Sequence, residues 1–223
     1  MSDAILHETA ATDVMAPQPS PRARLIDAAT RLFCKYGVNA TGIDAIVHEA
    51  GTAKTTLYKL FGSKSDLVEA VLSAEGQSWR DWFVTGVEAE ETPRAKLDAV
   101  FPVLKGWFAA NDYYGCVFIN AVGEHDKDET RLRAMTLQHK SFILSYLSDL
   151  ARASGAAHPD VLAHQIGLLM DGAIVAAMVT RDPGVADAAG EAAKALVAAA
   201  CGPATRRGRR VGSGLHRSEP LTG

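Results

Sequence analysis

The chain has 223 residues, 48% of them hydrophobic, and carries a formal net charge of −3, a composition that admits one large domain or a small domain joined to a larger one with a sizeable core. Its three cysteines, Cys34, Cys116 and Cys201, are odd in number, far apart and without CxxC or Cys/His spacing, which argues against both a disulfide framework and a zinc site. No apolar run approaches the length needed to cross a bilayer, and the N-terminus lacks the charged start and apolar core of a signal peptide, so a soluble cytoplasmic protein that does not meet the membrane is expected.

The net charge conceals an uneven distribution. Residues 1–20 carry Asp3, Glu8 and Asp13 with no Lys or Arg. Residues 21–64 are basic, with Arg22, Arg24, Arg31, Lys35, Lys54, Lys59 and Lys64 against Asp27, Asp44 and Glu49. Residues 65–201 are strongly acidic, and five arginines make the tail from Gly202 basic again. A small basic unit joined to a larger acidic one suits a polyanion-binding domain with a separate effector domain.

Residues 1–19, rich in Ala, Thr, Pro and Gln with no sustained period, are expected to form a disordered arm. Ser20-Pro21 opens a first helix as N-cap and first helical residue, Leu25, Ile26, Ala29, Leu32 and Phe33 give it one apolar stripe, and Gly37 closes it. Thr41 is the expected cap of a second helix, Ile43 to Ala50. A third, Ala53 to Phe61, follows across Gly51-Thr52, a junction too short for anything but a sharp turn. Helical spacing puts Lys54, Thr55, Tyr58 and Lys59 on one face of that third helix and Leu57, Leu60 and Phe61 on the other. Ser63-Lys64-Ser65-Asp66 resembles a capping box for a fourth helix running to about Glu88, with Gly76 as a point of bending. Further helices are expected near Arg94 to Ala110, Cys116 to Glu124, Asp128 to Ala153, Pro159 to Arg181 and Pro183 to Ala200, separated by turn residues. The reading is all-α, about nine helices: a three-helix head over residues 20–67, a larger helical body over 68–201 and a disordered basic tail over 202–223.

The stretch LIDAATRLFCKYG, the Thr41-Gly42-Ile43 entry, Ala50-Gly51, Leu57-Tyr58-x-x-Phe61 and the Ser63-Lys64-x-x-Leu67 exit together resemble the helix-turn-helix DNA-binding domain of TetR-family transcriptional regulators, over about residues 21–72. The segment Tyr114 to Asn120 is similar to one in some actinobacterial-type members of that family. Ala53 stands where the family usually has a hydroxyl to cap the recognition helix, with Thr52 one position earlier as a substitute cap, and Leu60 stands where the family often has His or Tyr. The resemblance implies a homodimer bound to double-stranded operator DNA, a small-molecule cavity among the helices after the fourth, and dimerisation through the last two helices.

On that basis Lys54, Thr55 and Thr56, at the start of the third helix, are candidates for base edges, Thr41, Tyr58, Lys59 and Lys64 are placed for phosphates, and Thr52 is a further DNA-binding candidate. Solvated surface is the bland alternative for each. Candidates to line a cavity for a small apolar or amphipathic effector are Trp82, Phe101, Leu104, Phe118, Asn120, Phe142, Tyr146 and Asp171, of which Asn120 and Asp171 are polar within apolar helical stretches. Most of the aromatic residues of this region belong to a core in any case. For the dimer, the last two helices offer Leu162, Ile166, Leu169, Met170, Ala173, Ile174, Ala177 and Met178, then Ala188, Ala192, Ala195, Leu196 and Ala199, with internal packing as the alternative.

Other chemistries have less support. Glu124, His125, Asp126 and His139 could ligate a metal, but three of them sit at a helix end where polar residues belong, and no metal or cofactor is expected. No Ser-His-Asp context or phosphate loop points to an enzyme. Cys34 as a redox switch and the arginine-rich tail as a nucleic-acid clamp are weaker readings than buried residue and solvated tail. The expected function is a ligand-released repressor acting on a pseudo-palindromic operator; the alternative is an adaptor that keeps the fold without reading DNA.

Overall fold

The computed structural model describes residues 19–125 and 130–202. The expected arm (1–19) and tail (202–223) thus fall outside the described residues except for Pro19 and Gly202, and Asp126 falls outside as well. Among the described residues there are nine helices and no strand: α1 Pro21–Tyr36, α2 Ile43–Glu49, α3 Lys54–Phe61, α4 Lys64–Glu88, α5 Pro93–Phe108, α6 Val117–Glu124, α7 Thr130–Ala153, α8 Pro159–Thr180 and α9 Val185–Cys201.

Local sequence chemistry sets most of these boundaries. The Ser20 hydroxyl accepts from the Ala23 N–H at 3.2 Å with Pro21 in the first turn, and Thr92 repeats the arrangement for α5 by accepting from Ala95 N–H at 3.2 Å ahead of Pro93. Ser63 caps α4 by accepting from Asp66 N–H at 3.1 Å, and its hydroxyl donates back to the Asp66 carboxylate at 2.6 Å. Gly51, at φ +58°, makes the α2–α3 turn, where Thr52 N–H donates to Val47 C=O at 3.0 Å.

Two expectations are corrected here, the cap of α2 and the apolar length of α8. Thr41 does not cap α2: Gly42 holds the cap position, and the buried Thr41 hydroxyl donates to Gly37 C=O at 2.6 Å, tying the α1–α2 loop to the end of α1. α4 runs unbroken through Gly76. The glycine lets the Phe118 ring lie against the helix, since a Cβ at Gly76 would stand 2.9 Å from the ring tip. The absence of a bilayer-length apolar run also fails for α8, which by length and composition alone could cross a membrane. One face of α8 is buried among α5, α7 and α9, which is the position of a core helix in a bundle.

The head, α1 to α3, packs through Leu25, Phe33, Ile46, Leu57 and Phe61 onto the start of α4. Arg24 fastens it internally by donating from Nε to Ala50 C=O at 3.1 Å, and Arg31 of α1 reaches Glu49 of α2 at 3.1 Å. The body is a bundle of α4, α5, α7, α8 and α9, with α6 lodged between α4, α7 and the head. Its closure is long-range: Arg94 donates to Val197 C=O at 3.2 Å, and Lys105 pairs with Asp187 at 2.6 Å, both joining α5 to α9.

Head and body meet at a second point besides α4. Glu124, at the end of α6, accepts from the Asn39 backbone N–H at 2.9 Å, and Asn39 Nδ2 donates to Glu124 C=O at 2.6 Å. Gly37 makes room for this, at φ +90° and with its virtual Cβ only 2.7 Å from the Glu124 carboxylate.

His139 of α7 is one of few buried polar side chains. It stacks on Phe118 (centroids 4.2 Å apart), meets Trp79 edge-on at 5.5 Å and receives Arg80 at 3.4 Å on Nδ1. Burial, with Lys140 and Arg80 nearby, pushes its pKa down to about 4, so the imidazole is neutral at neutral pH.

Two outcomes follow for stability. Gly37→Ala forces a side chain into a backbone conformation nearly reserved for glycine and against Glu124, and should lower unfolding free energy by about 1–3 kcal/mol in urea titration. For His139, the unfolded chain binds a proton below about pH 6.5 that the native state refuses until about pH 4, so stability is lost as the pH is lowered across that window. His139→Phe should remove on the order of 1 kcal/mol of the loss measured between pH ~7 and pH ~5.

Candidate functional site

Two features stand out: the outer face of α3 and a cavity between head and body. On α3, Lys54, Thr55, Tyr58 and Lys59 are exposed together, with Thr56 half-exposed beside them and Lys64 half-buried at the start of α4. Leu57 and Phe61 point inward, but Leu60, expected to pack with them, is 41% exposed. Its place at the border of the exposed face lets the α3 core close with two residues rather than three. Lys54 Nζ lies 3.0 Å from Asp44 across the turn, and this carboxylate raises the lysine pKa by hydrogen bonding and charge. Both groups are well exposed, so the pair is weak and open to exchange with a stronger anion.

Two of the candidate contacts are turned away from solvent. Thr41 is committed to Gly37, and Thr52 Oγ1 is buried without a partner, so it does not act as the substitute cap. Ala53 holds the N-cap of α3 with no side-chain bond, which leaves N–H groups of the first turn without an intrahelical or side-chain acceptor. A short amphipathic helix with exposed lysines and threonines at its N-terminal end has the form of a major-groove reader.

The cavity has a volume of about 730 Å³ and is walled by α1, α4, α5, α6, α7 and α8 together with the α5–α6 loop. From α1 come Asp27, Thr30, Arg31 and Cys34, spaced along one helical stripe, and from α4 Glu75 and Trp79, one turn apart. Trp107, Tyr114, Phe118 and His139 add aromatic surface, and Lys140 pairs with Asp171 across the α7–α8 side. Cys34 and Cys116 also face the space; burial pushes the Cys34 thiol up to about 12 and raises that of Cys116, so neither is a thiolate poised for redox chemistry.

Of the eight residues expected to line such a cavity, Phe118 and Asp171 do so. Phe101 and Leu104 are buried in the α5 core, and Asn120 donates to Tyr114 C=O at 3.0 Å to hold the α5–α6 loop. Trp82 and Phe142 are substantially exposed, and Tyr146 donates to Glu88 at 2.8 Å. Sequence reasoning missed the α1 stripe and the Glu75–Trp79 pair. The spacing 27, 30, 31, 34 on the face opposite the apolar stripe was the available signal for the first.

The remaining candidates are accounted for by the fold. Glu124 serves Asn39, His125 Nδ1 lies 2.8 Å from Ala121 C=O, and among the described residues no group of three or more side chains is arranged to hold a metal. On α8, Leu162, Ile166, Met170, Ala173, Ile174 and Ala177 face the body's own core. The outward stripe is Val161, Gln165, Leu168, Gly172, Val175 and Val179, with Leu168 74% and Val179 73% exposed. Beside it, Ala188, Ala192, Ala195 and Ala199 of α9 are exposed in a parallel row.

Residues 25–71 match the model for bacterial regulatory proteins of the tetR family. Over 97 residues the chain is 39% identical to the HTH-type transcriptional activator FasR of Mycolicibacterium smegmatis, a match covering 40% of this chain and 42% of FasR. It is 31% identical over 86 residues to the HTH-type transcriptional regulator BetI of Rhizobium meliloti, covering 39% and 42% respectively. The matched stretch therefore spans less than half the length of these two curated relatives. Solved structures match more widely. A TetR-family transcriptional regulator from Streptomyces coelicolor has a TM-score of 0.76 at 26% identity, over 81% of this chain and 96% of that one. A tetR transcriptional regulator from Streptomyces avermitilis has a TM-score of 0.71 at 29% identity, over 82% and 98%. With its helix-turn-helix head and all-helical body, the chain carries over residues 25–71 the N-terminal domain of the tetR family of bacterial regulatory proteins and shares its overall fold with solved TetR-family regulators.

Proposed function

We propose that the protein is a homodimeric transcriptional repressor, working in the cytoplasm, that reads a pseudo-palindromic operator through α3 and leaves it when a small apolar or amphipathic molecule fills the cavity. The observation that carries this reading is the double use of α1. Leu25, Ala28, Ala29 and Phe33 hold the head together on one side of the helix, while Asp27, Thr30, Arg31 and Cys34 wall the cavity on the other. A ligand that fits one position of α1 better than another therefore acts on the head directly, and only such a difference in affinity can move the equilibrium between DNA-bound and free states.

Lys54, Thr55 and Thr56 approach base edges, and Tyr58, Lys59 and Lys64 hold phosphates. One head of this size binds weakly, and two heads held by a dimer engage adjacent half-sites on one face of the duplex. The α8 stripe and the α9 alanine row are the surfaces for that dimer, since small residues beside exposed Leu and Val let helices from two chains approach closely. The same pairing covers the apolar outer face of α8 without a membrane.

Lys54→Glu with Lys64→Glu should abolish retention of DNA fragments that the wild-type protein recovers from its own genome, while leaving the oligomeric state unchanged in analytical ultracentrifugation. Undiminished retention by this variant would overturn the assignment of α3. Val175→Glu with Val179→Glu should convert the dimer to monomer in the same measurement and weaken DNA retention by about tenfold or more.

A further inference from the structure

The charges around the cavity are not evenly satisfied. Among the basic side chains that border it, Arg31 is paired with Asp27 and Glu49, Lys140 is paired with Asp171, and Lys35 lies over the Tyr36 ring at 5.0 Å. Of the two imidazoles, His139 is held neutral, and His164 Nδ1 lies 2.7 Å from Asp160 C=O. Glu75 is the exception. It is half-buried in the cavity wall, and among the described residues no cation or hydrogen-bond donor meets its carboxylate. Burial and the charge of Asp27 both raise its pKa, and no basic group offsets them.

The groups beside Glu75 have the same unfinished character. Trp79, one turn further along α4, has a buried indole Nε1 with no acceptor, and Thr30 across the cavity has a buried hydroxyl with no partner. The Trp79 ring is itself part of a continuous aromatic surface, with Trp107 at 5.6 Å, His139 at 5.5 Å, and Phe118 stacked behind His139 at 4.2 Å.

We infer that the cavity takes organic cations, an ammonium-type ligand whose charged end rests between Glu75 and the face of Trp79 and whose apolar body lies along Trp107 and Phe118. The inference rests on the reading of this cavity as the effector site. An anion entering here meets Glu75 and Asp27 and finds every neighbouring Arg and Lys already engaged. A neutral apolar molecule seals an unpaired carboxylate away from water, which is costly. A cation removes that cost and gains from the negative faces of the aromatic rings, the arrangement by which quaternary ammonium groups are recognised. The volume of about 730 Å³ suits a drug-sized molecule rather than an inorganic ion.

The test is tryptophan fluorescence titration of the full-length protein with benzyltrimethylammonium, its uncharged carbon isostere neopentylbenzene, and 3-phenylpropionate. Wild type should bind the ammonium at least about tenfold more tightly than either other probe. Glu75→Gln, with folding checked by circular dichroism, should lose about tenfold for the ammonium and keep the affinity for neopentylbenzene. Equal or tighter binding of the neutral or anionic probe, no binding of the ammonium, or an unchanged ammonium affinity in Glu75→Gln overturns the inference. DNA retention measured with the same probe separates the two readings. If the ammonium binds through Glu75 and the DNA complex persists, the ligand class stands and the effector role of the cavity falls.

Discussion

The packing of α1 is the constraint on which the rest depends. A helix of sixteen residues presents two stripes, and both are in use: the apolar one closes the head and the mixed polar one closes the cavity. Because one rigid element serves both, there is no flexible linker in which a displacement could be absorbed. Movement of the cavity wall is movement of the surface on which α2 and α3 sit. The polar stripe also explains why α1 carries Asp27, Arg31 and Cys34 on a side that a simple three-helix head would leave to solvent.

A second connection acts in parallel. Phe118 of α6 lies against α4 at Gly76 and stacks on His139 of α7, while Glu124 at the other end of the same helix holds the Asn39 backbone. The short α6 thus spans from cavity wall to head loop. Its two ends are fixed by different physics, ring packing at one and charge-assisted hydrogen bonding at the other. The first tolerates sliding and the second does not, so a shift of Phe118 is conveyed along the helix to a contact that must either follow or break.

Much of this was legible in the sequence, and the pattern of success is physical. Caps and turns depend on neighbouring residues, so Ser20-Pro21, Ser63 with Asp66 and the Gly51 turn could be placed from local chemistry alone. The exposed lysines of α3 followed from helical spacing in the same way. Thr41 and Leu60 went differently because tertiary context decided them: a loop carbonyl within reach took the Thr41 hydroxyl, and two inward residues sufficed to close α3. The cavity was least legible. Its walls come from six helices, and the reasoning favoured large aromatic residues such as Phe101, Phe142 and Tyr146, whereas the structure uses Trp79 and Trp107 there and spends the others on core, surface and the bond to Glu88. Similarly, the apolar residues named on α8 are those its own bundle consumes, and the outward stripe one step round the helix was hidden by the uniform hydrophobicity of the segment.

The bond from Arg94 to the Val197 carbonyl joins residues 103 positions apart, whereas the contacts that close the head lie within its first fifty or so residues. Loop-closure entropy makes the first kind of contact slower to form than the second. During synthesis, N-terminal units fold as they emerge. The head can therefore reach its own packing while α9 is still unmade, and the body gains its last wall only when nearly the whole chain is available. For a time each new molecule has a packed head and an unfinished body, and the interval ends when α9 docks on α5.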